Sequence, residues 1–255
     1  MRSLLAVYKR EAALLFRSIV AYAIGFALLM FIGLLFASNI AFIAQQQAFG
    51  GPGAPATDLA VNNLSVFAFL MFLIAPLLTM RLLAEEAREG TLEVLMTLPM
   101  SDWAFVAGKF LAVWTYYSFL LLLTGVHLLI LSGMGPLNPG WLFALYLGAW
   151  LYGGATLAIS MIWSAVTEDQ IVAAFLGAAT VLVLFLADQL AVLVGSQQIV
   201  AGFANFLREL GLTSHYQATM MNGIIRAQDV IYFVFMIAVC LFITTLIVGT
   251  RRWRA

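Results

Sequence analysis

His127, His215 and Cys240 are the only imidazoles and the only thiol in this chain of 255 residues. They stand too far apart for a Cys/His ligand set, and no HExxH or GxSxG run accompanies them. Cys240 lies inside an apolar run, has no second thiol to pair with, and is read as a small packing residue. A P-loop is missing as well: the one Gly-Lys pair, Gly108-Lys109, has Trp103 where the leading glycine would stand. Two ionisable residues, His127 and Asp188, fall inside long apolar stretches, each toward the same end of its stretch. A carboxylate in lipid costs on the order of 2.5–3.5 kcal/mol, so Asp188 must find a partner or water. One expectation is an Asp188–His127 contact; the other is that Asp188 reaches the interface beside Gln189. His215 is a candidate ligand or proton carrier, or a polar interfacial residue. None of this makes a catalytic centre: the chain reads as no enzyme, with no cofactor or metal of its own.

The elements that must position these residues follow from composition. Apolar residues make up 64% of the chain and charged residues 9%, against about 45–50% and about 25% in an average soluble domain. With a mean hydropathy of +1.03, this excludes an ordinary soluble domain, a disordered chain and a nucleic-acid binder. Twelve Lys+Arg balance twelve Asp+Glu, so no polyanionic partner is implied. The solvent is lipid. A hydrocarbon core of about 30 Å needs roughly 20 apolar residues per helix, and six stretches meet that length: 20–44, 59–80, 103–131, 141–166, 171–194 and 230–250. The fold class is all-α, a polytopic membrane protein with six transmembrane helices in a single domain over 1–255. Pro76 should kink the second span.

Ten of the twelve basic residues fall on one side of a six-span topology: Arg2, Lys9, Arg10, Arg17, Arg81, Arg88, Lys109, Arg251, Arg252 and Arg254. The positive-inside rule then puts both termini in the cytoplasm, and the first span is too long for a cleavable signal. Residues 45–58 read as a flexible outer loop, and 167–170 as a tight inner turn joining spans four and five. Small residues four apart (Ala149/Gly153, Gly154/Ala158, Ser160/Ser164, Ala173/Gly177) would let those two spans approach closely.

Three segments are not spans. Residues 1–19 form an amphipathic helix, its apolar arc of Leu4, Leu5, Tyr8, Ala12, Leu15 and Phe16 opposite a basic face, with Glu11 at the edge of the arc. The connection 81–109 holds five of the twelve carboxylates: Glu85, Glu86, Glu89, Glu93 and Asp102. Its layout is an extension of the second span to about Glu89, a left-handed cap at Gly90, and a short helix over 91–98 with Thr91 as N-cap and Pro99 as stop. Asp102 is placed to cap the third span. Leu92, Leu95 and Leu98 would share one side of the short helix, the pattern of a docking surface. The third segment, 195–229, carries Phe203, Phe206, Leu207 and Leu210 at helical spacing, and Asp229 as an N-cap for the sixth span.

The run EEAREGTLEVLMTLPMSDWAFVAGKFLA resembles the inner loop of ABC-2-type ABC-transporter permeases, in particular the branch with the gliding-motility-type permeases. SHYQATMMNGIIRAQDVIYF and the terminal RRW are similar to the last outer segment and sixth span of that branch. The resemblance implies a type V exporter-like half-transporter in a bacterial inner membrane: two six-span subunits, this chain and a second copy or paralogue, bound to two cytoplasmic ABC ATPase subunits that carry ATP and Mg. It implies a cytoplasmic coupling loop over 81–102 and short re-entrant helices within 200–226 of the outer segment 195–229, while the amphipathic helix over 1–19 would be a membrane anchor or an elbow helix that braces a cytoplasmic partner. The coupling residues would be Glu89, Gly90, Thr91, Leu92, Glu93, Leu95, Leu98 and Pro99. Membrane lipid is the remaining partner, and nucleic acid is none. Two other functions stay open on the residues alone. One is an ion-coupled secondary transporter, for which only Asp188 and His127 offer intramembrane ionisable groups. The other is a non-transporting ABC complex that transmits force to an envelope machine.

Overall fold

The computed structural model describes residues 2–50, 55–91, 100–195 and 201–251. It is 87% helical, and no strand occurs among the described residues. In chain order the helices are α1 (Arg2–Leu15), α2 (Ile19–Ala48), α3 (Ala56–Arg88), α4 (Asp102–Leu123), α5 (Gly125–Ser132), α6 (Pro139–Val166), α7 (Gln170–Gly195), α8 (Ala201–Leu210), α9 (Leu212–Tyr216) and α10 (Ala227–Arg251), with a 3₁₀ turn at Met220–Asn222. Six stretches are long and apolar enough to cross a membrane: Ile19–Ala48, Ala56–Arg88, Asp102–Ser132, Pro139–Val166, Gln170–Ala187 and Ala227–Thr250. The chain is an all-α polytopic membrane protein. One end of the bundle, here the basic end, carries α1, the α3–α4 connection and the α6–α7 turn. The far end carries α8, α9 and the 3₁₀ turn.

The central helix is α6. The most apolar window of α6 is 72% buried, against 28% for α2 and 22% for α7, so those two present most of their surface to whatever surrounds the protein. The glycines of α6 explain its position. A Cβ on Gly153 would overlap the Tyr117 ring of α4. One on Gly154 would sit 2.9 Å from the Trp114 ring, and one on Gly148 2.7 Å from Tyr216. These notches receive aromatic rings of α4 and α9 rather than the neighbouring α7. The expectation that Gly153 and Gly154 draw spans four and five together is thereby corrected. Gly177 does face α6: a Cβ on it would lie 3.4 Å from the Ser160 side chain, and also 3.3 Å from Pro76 of α3. Trp114 additionally stacks on Trp150, with ring centroids 4.2 Å apart.

Other expectations shift by a turn or less. Helix α2 continues to Ala48 and α3 begins at Ala56, so the far-end loop is shorter than 45–58. The N-cap of α4 is Ser101, whose Oγ accepts the Ala104 N–H at 3.3 Å, and Asp102 is the first helical residue. The third span breaks between α4 and α5 at Thr124, whose hydroxyl donates to the Leu121 carbonyl at 2.6 Å and pairs with the Tyr146 hydroxyl at 3.1 Å. Asp229 is the third residue of α10 rather than its cap. The Asp169 carboxylate caps α7, accepting the Ile171 N–H at 2.7 Å. Helix α3 runs through Pro76, and beyond the proline Thr79 donates back to the Ala75 carbonyl at 2.9 Å.

Candidate functional site

Lys109 sits in the second turn of α4, a helix whose other early residues are almost all apolar, and it is 1% exposed. Its burial starts at Gly108. A Cβ there would lie 2.9 Å from the Val7 side chain and 3.1 Å from the Leu4 carbonyl, so only glycine lets α1 lie flat across α4 and cover the lysine that follows. A buried ammonium must be paired. Lys109 Nζ lies 2.8 Å from Glu86 Oε1 of α3 and 3.1 Å from Glu11 Oε1 of α1, and 5.1 Å above the Phe105 ring. The three elements are thus pinned at one point. Two carboxylates face one ammonium, and Glu86 Oε2 has no hydrogen-bond partner among the described residues. Two further contacts extend this grip: Phe16, just beyond α1, meets Tyr116 edge-on at 5.3 Å, and the Tyr8 hydroxyl hydrogen-bonds Thr115 Oγ1 at 3.2 Å.

The same stretch of α3 is held from α6. The Ser164 Oγ accepts the N–H of Leu83 at 3.1 Å and of Ala84 at 3.2 Å, and donates to the Met80 carbonyl at 3.0 Å. Helix α3 then ends at Arg88 with Glu89 as its C-cap, and Gly90 follows at φ +69°. That is the left-handed stop expected of this glycine. Thr91 turns its hydroxyl back to the Glu86 carbonyl at 3.3 Å. Leu92, Glu93, Leu95, Leu98 and Pro99 lie outside the described residues.

The far end is tied by neutral contacts and one histidine pair. His127 Nδ1 lies 2.9 Å from Asn63 Nδ2 of α3, with its ring 4.5 Å from that of Phe36; the side chain of Asp188 lies outside the described residues. His215 Nδ1 is 2.8 Å from Asp229 Oδ1, and Nε2 is 3.2 Å from the Glu209 carbonyl. Both contacts are hydrogen bonds only when both ring nitrogens carry hydrogens. His215 also stacks on Tyr232, with centroids 3.9 Å apart. Burial holds the Tyr216 phenol well above its ordinary range, so it stays a neutral donor, directed at the Leu145 carbonyl 3.4 Å away. Gly223, at φ +79°, passes under the Trp141 ring, whose Nε1 donates to the Met221 carbonyl at 3.0 Å.

Sequence alone did not assemble the Lys109 cluster or the Ser164 bridge. Two signals were present: Lys109 in the second turn of an otherwise apolar helix, and Glu11 on the edge of the apolar arc of α1. Neither signal selects Glu86 from the five carboxylates of the connection.

The resemblance seen in the connection extends over the chain. The family model described as ABC-2 family transporter protein matches residues 5–253. No curated protein matches the chain. Six membrane-crossing helices and a match over nearly the entire length agree, and the chain belongs to the ABC-2 family of transporter proteins, as a multi-pass permease subunit of an ABC transporter.

Proposed function

We propose that this chain is the membrane half of an exporter, moved by separate cytoplasmic ATPase subunits that grip the 81–102 connection. Permeases of this family work with such subunits, and export is the direction that the resemblance to type V exporters implies. ATP and Mg belong to the partner, and this chain supplies the lever and the pathway. In the assembly it stands beside a second permease, a copy or a paralogue, in a bacterial inner membrane with both termini in the cytoplasm. Helix α1, with Lys9 and Arg10 exposed, lies along the inner leaflet facing anionic headgroups.

The observation that carries this reading is the Lys109 cluster. At 33 residues, α3 is about 50 Å long, well beyond a hydrocarbon core of about 30 Å. Its last turns therefore project from the lipid and lead straight into the connection. Lys109 locks that projection to α1 and α4 through two charged contacts in a place shielded from water. A push on the connection cannot bend α3 alone; it carries α1 and α4 with it. Rigid-body displacement of this kind suits a subunit whose energy source lies on another chain.

The test is at Leu92 and Leu95. Leu92→Asp or Leu95→Asp should leave the bundle folded while abolishing recovery of the ATPase subunits with the purified permease and its stimulation of their hydrolysis. Wild-type assembly and stimulation in these variants would reject the docking role of the connection.

A further inference from the structure

We infer that Ser164 is a positioning residue for coupling, its hydroxyl closing a two-state joint in α3 between the transmembrane part and the projecting end. This rests on the reading that a motor works the 81–102 connection. In an unbroken α-helix the Ala84 N–H bonds the Met80 carbonyl. Here Ser164 Oγ adds a second set of bonds at that step from α6, accepting from Leu83 and Ala84 and donating to Met80 at 3.0–3.2 Å. One donor and two acceptor sites exhaust what a hydroxyl offers.

The other buried hydroxyls nearby behave differently. Ser160 donates to the Thr156 carbonyl and Thr79 to the Ala75 carbonyl, each one turn back in its own helix. Ser164 has the same option toward the carbonyl of Ser160. If it turned there, the Leu83 and Ala84 amides would keep only the Thr79 and Met80 carbonyls of their own helix and lose the tether to α6, with every polar group still satisfied. The joint therefore has two hydrogen-bonded states, engaged and released, separated by rotation of one hydroxyl and a small shift of α3 on α6. In the engaged state the end of α3 moves with α6 as well as with α4 and α1, because Glu86, two residues beyond Ala84, is held by Lys109. In the released state α6 is left behind. Switching between them lets the same push move three helices or four.

Amide hydrogen exchange reads this directly. In the purified full chain, Ser164→Ala should speed exchange at Leu83 and Ala84 by about tenfold, while Ser160→Ala leaves it unchanged. In the complex with its ATPase subunits, trapping with ATP and vanadate should alter exchange over 80–88 in the wild type and in Ser160→Ala. Ser164→Ala should lose that nucleotide response while still assembling and hydrolysing ATP. Unchanged exchange at Leu83 and Ala84 in the isolated Ser164→Ala chain overturns the joint, with or without a motor. A nucleotide response kept in Ser164→Ala, or lost equally in Ser160→Ala, overturns its role in coupling. Failure of the wild-type chain to bind any ATPase subunit would instead remove the functional reading and leave the isolated-chain result standing.

Discussion

The two ends of this bundle hold their helices together by different physics. At the basic end a lysine that is 1% exposed joins three elements through two carboxylates, and a serine hydroxyl joins a fourth through backbone groups. At the far end the ties are rings lodged in glycine notches, a neutral Asn63–His127 contact and one His215–Asp229 pair. Charged contacts in a water-poor place have a narrow range of acceptable geometry, because a small displacement strands a charge. Ring packing tolerates sliding and side-chain rearrangement at lower cost. The basic end thus resists displacement of one helix against another and the far end accommodates it, which is the division of labour that the proposed function calls for.

Removing the lysine should break this contrast most severely. Lys109→Met leaves Glu11 and Glu86 facing each other without a cation, and stability measured by thermal unfolding in detergent should fall by about 3–5 kcal/mol. Replacing all three residues together (Lys109→Met, Glu11→Gln, Glu86→Gln) should recover most of that loss, since a neutral triad has no stranded charge. A triple variant as unstable as the single one would show that packing, not charge, holds this end.

The histidine pair at the far end should matter less. His215→Phe keeps the stacking on Tyr232 but strands Asp229, which is 4% exposed, and should cost about 1–3 kcal/mol. Limited proteolysis should show the loss concentrated in 201–226, with the α1–α4 contact intact. A loss spread equally over both ends would erase the distinction drawn here. Smallest of all, Asn63→Leu removes a single neutral contact to His127 and should lower stability by about 1 kcal/mol or less. A much larger drop on the same thermal assay would mean that this contact fixes the packing of α3 against α5 rather than adding one neutral hydrogen bond.

The sequence made the spans legible because lipid imposes a length and an apolarity on any helix that crosses it. The left-handed glycine at Gly90 and the amphipathic helix α8 were legible too, since turn chemistry and helical periodicity act over a few residues. Capping was readable only to within one position: Ser101 and Asp102 are both good N-caps, and local chemistry does not choose between them. The small residues of α6 could be seen, but not what fills them. A glycine admits either a helix or a ring, and Tyr117, Trp114 and Tyr216 lie 36–68 positions away in the chain from the glycines they fill.

Lipid solvation, acting on each stretch separately, is what the sequence by itself determined: an all-helical six-span protein with its basic residues gathered at one end. Which carboxylates Lys109 meets, that Asn63 is the partner of His127, and that Ser164 enters the backbone of α3 were decided only by tertiary structure. The physical reason is one of range. Hydrophobicity and turn propensity are properties of neighbouring residues, whereas a buried charge or hydroxyl takes whichever partner the packing of distant helices brings within 3 Å or so.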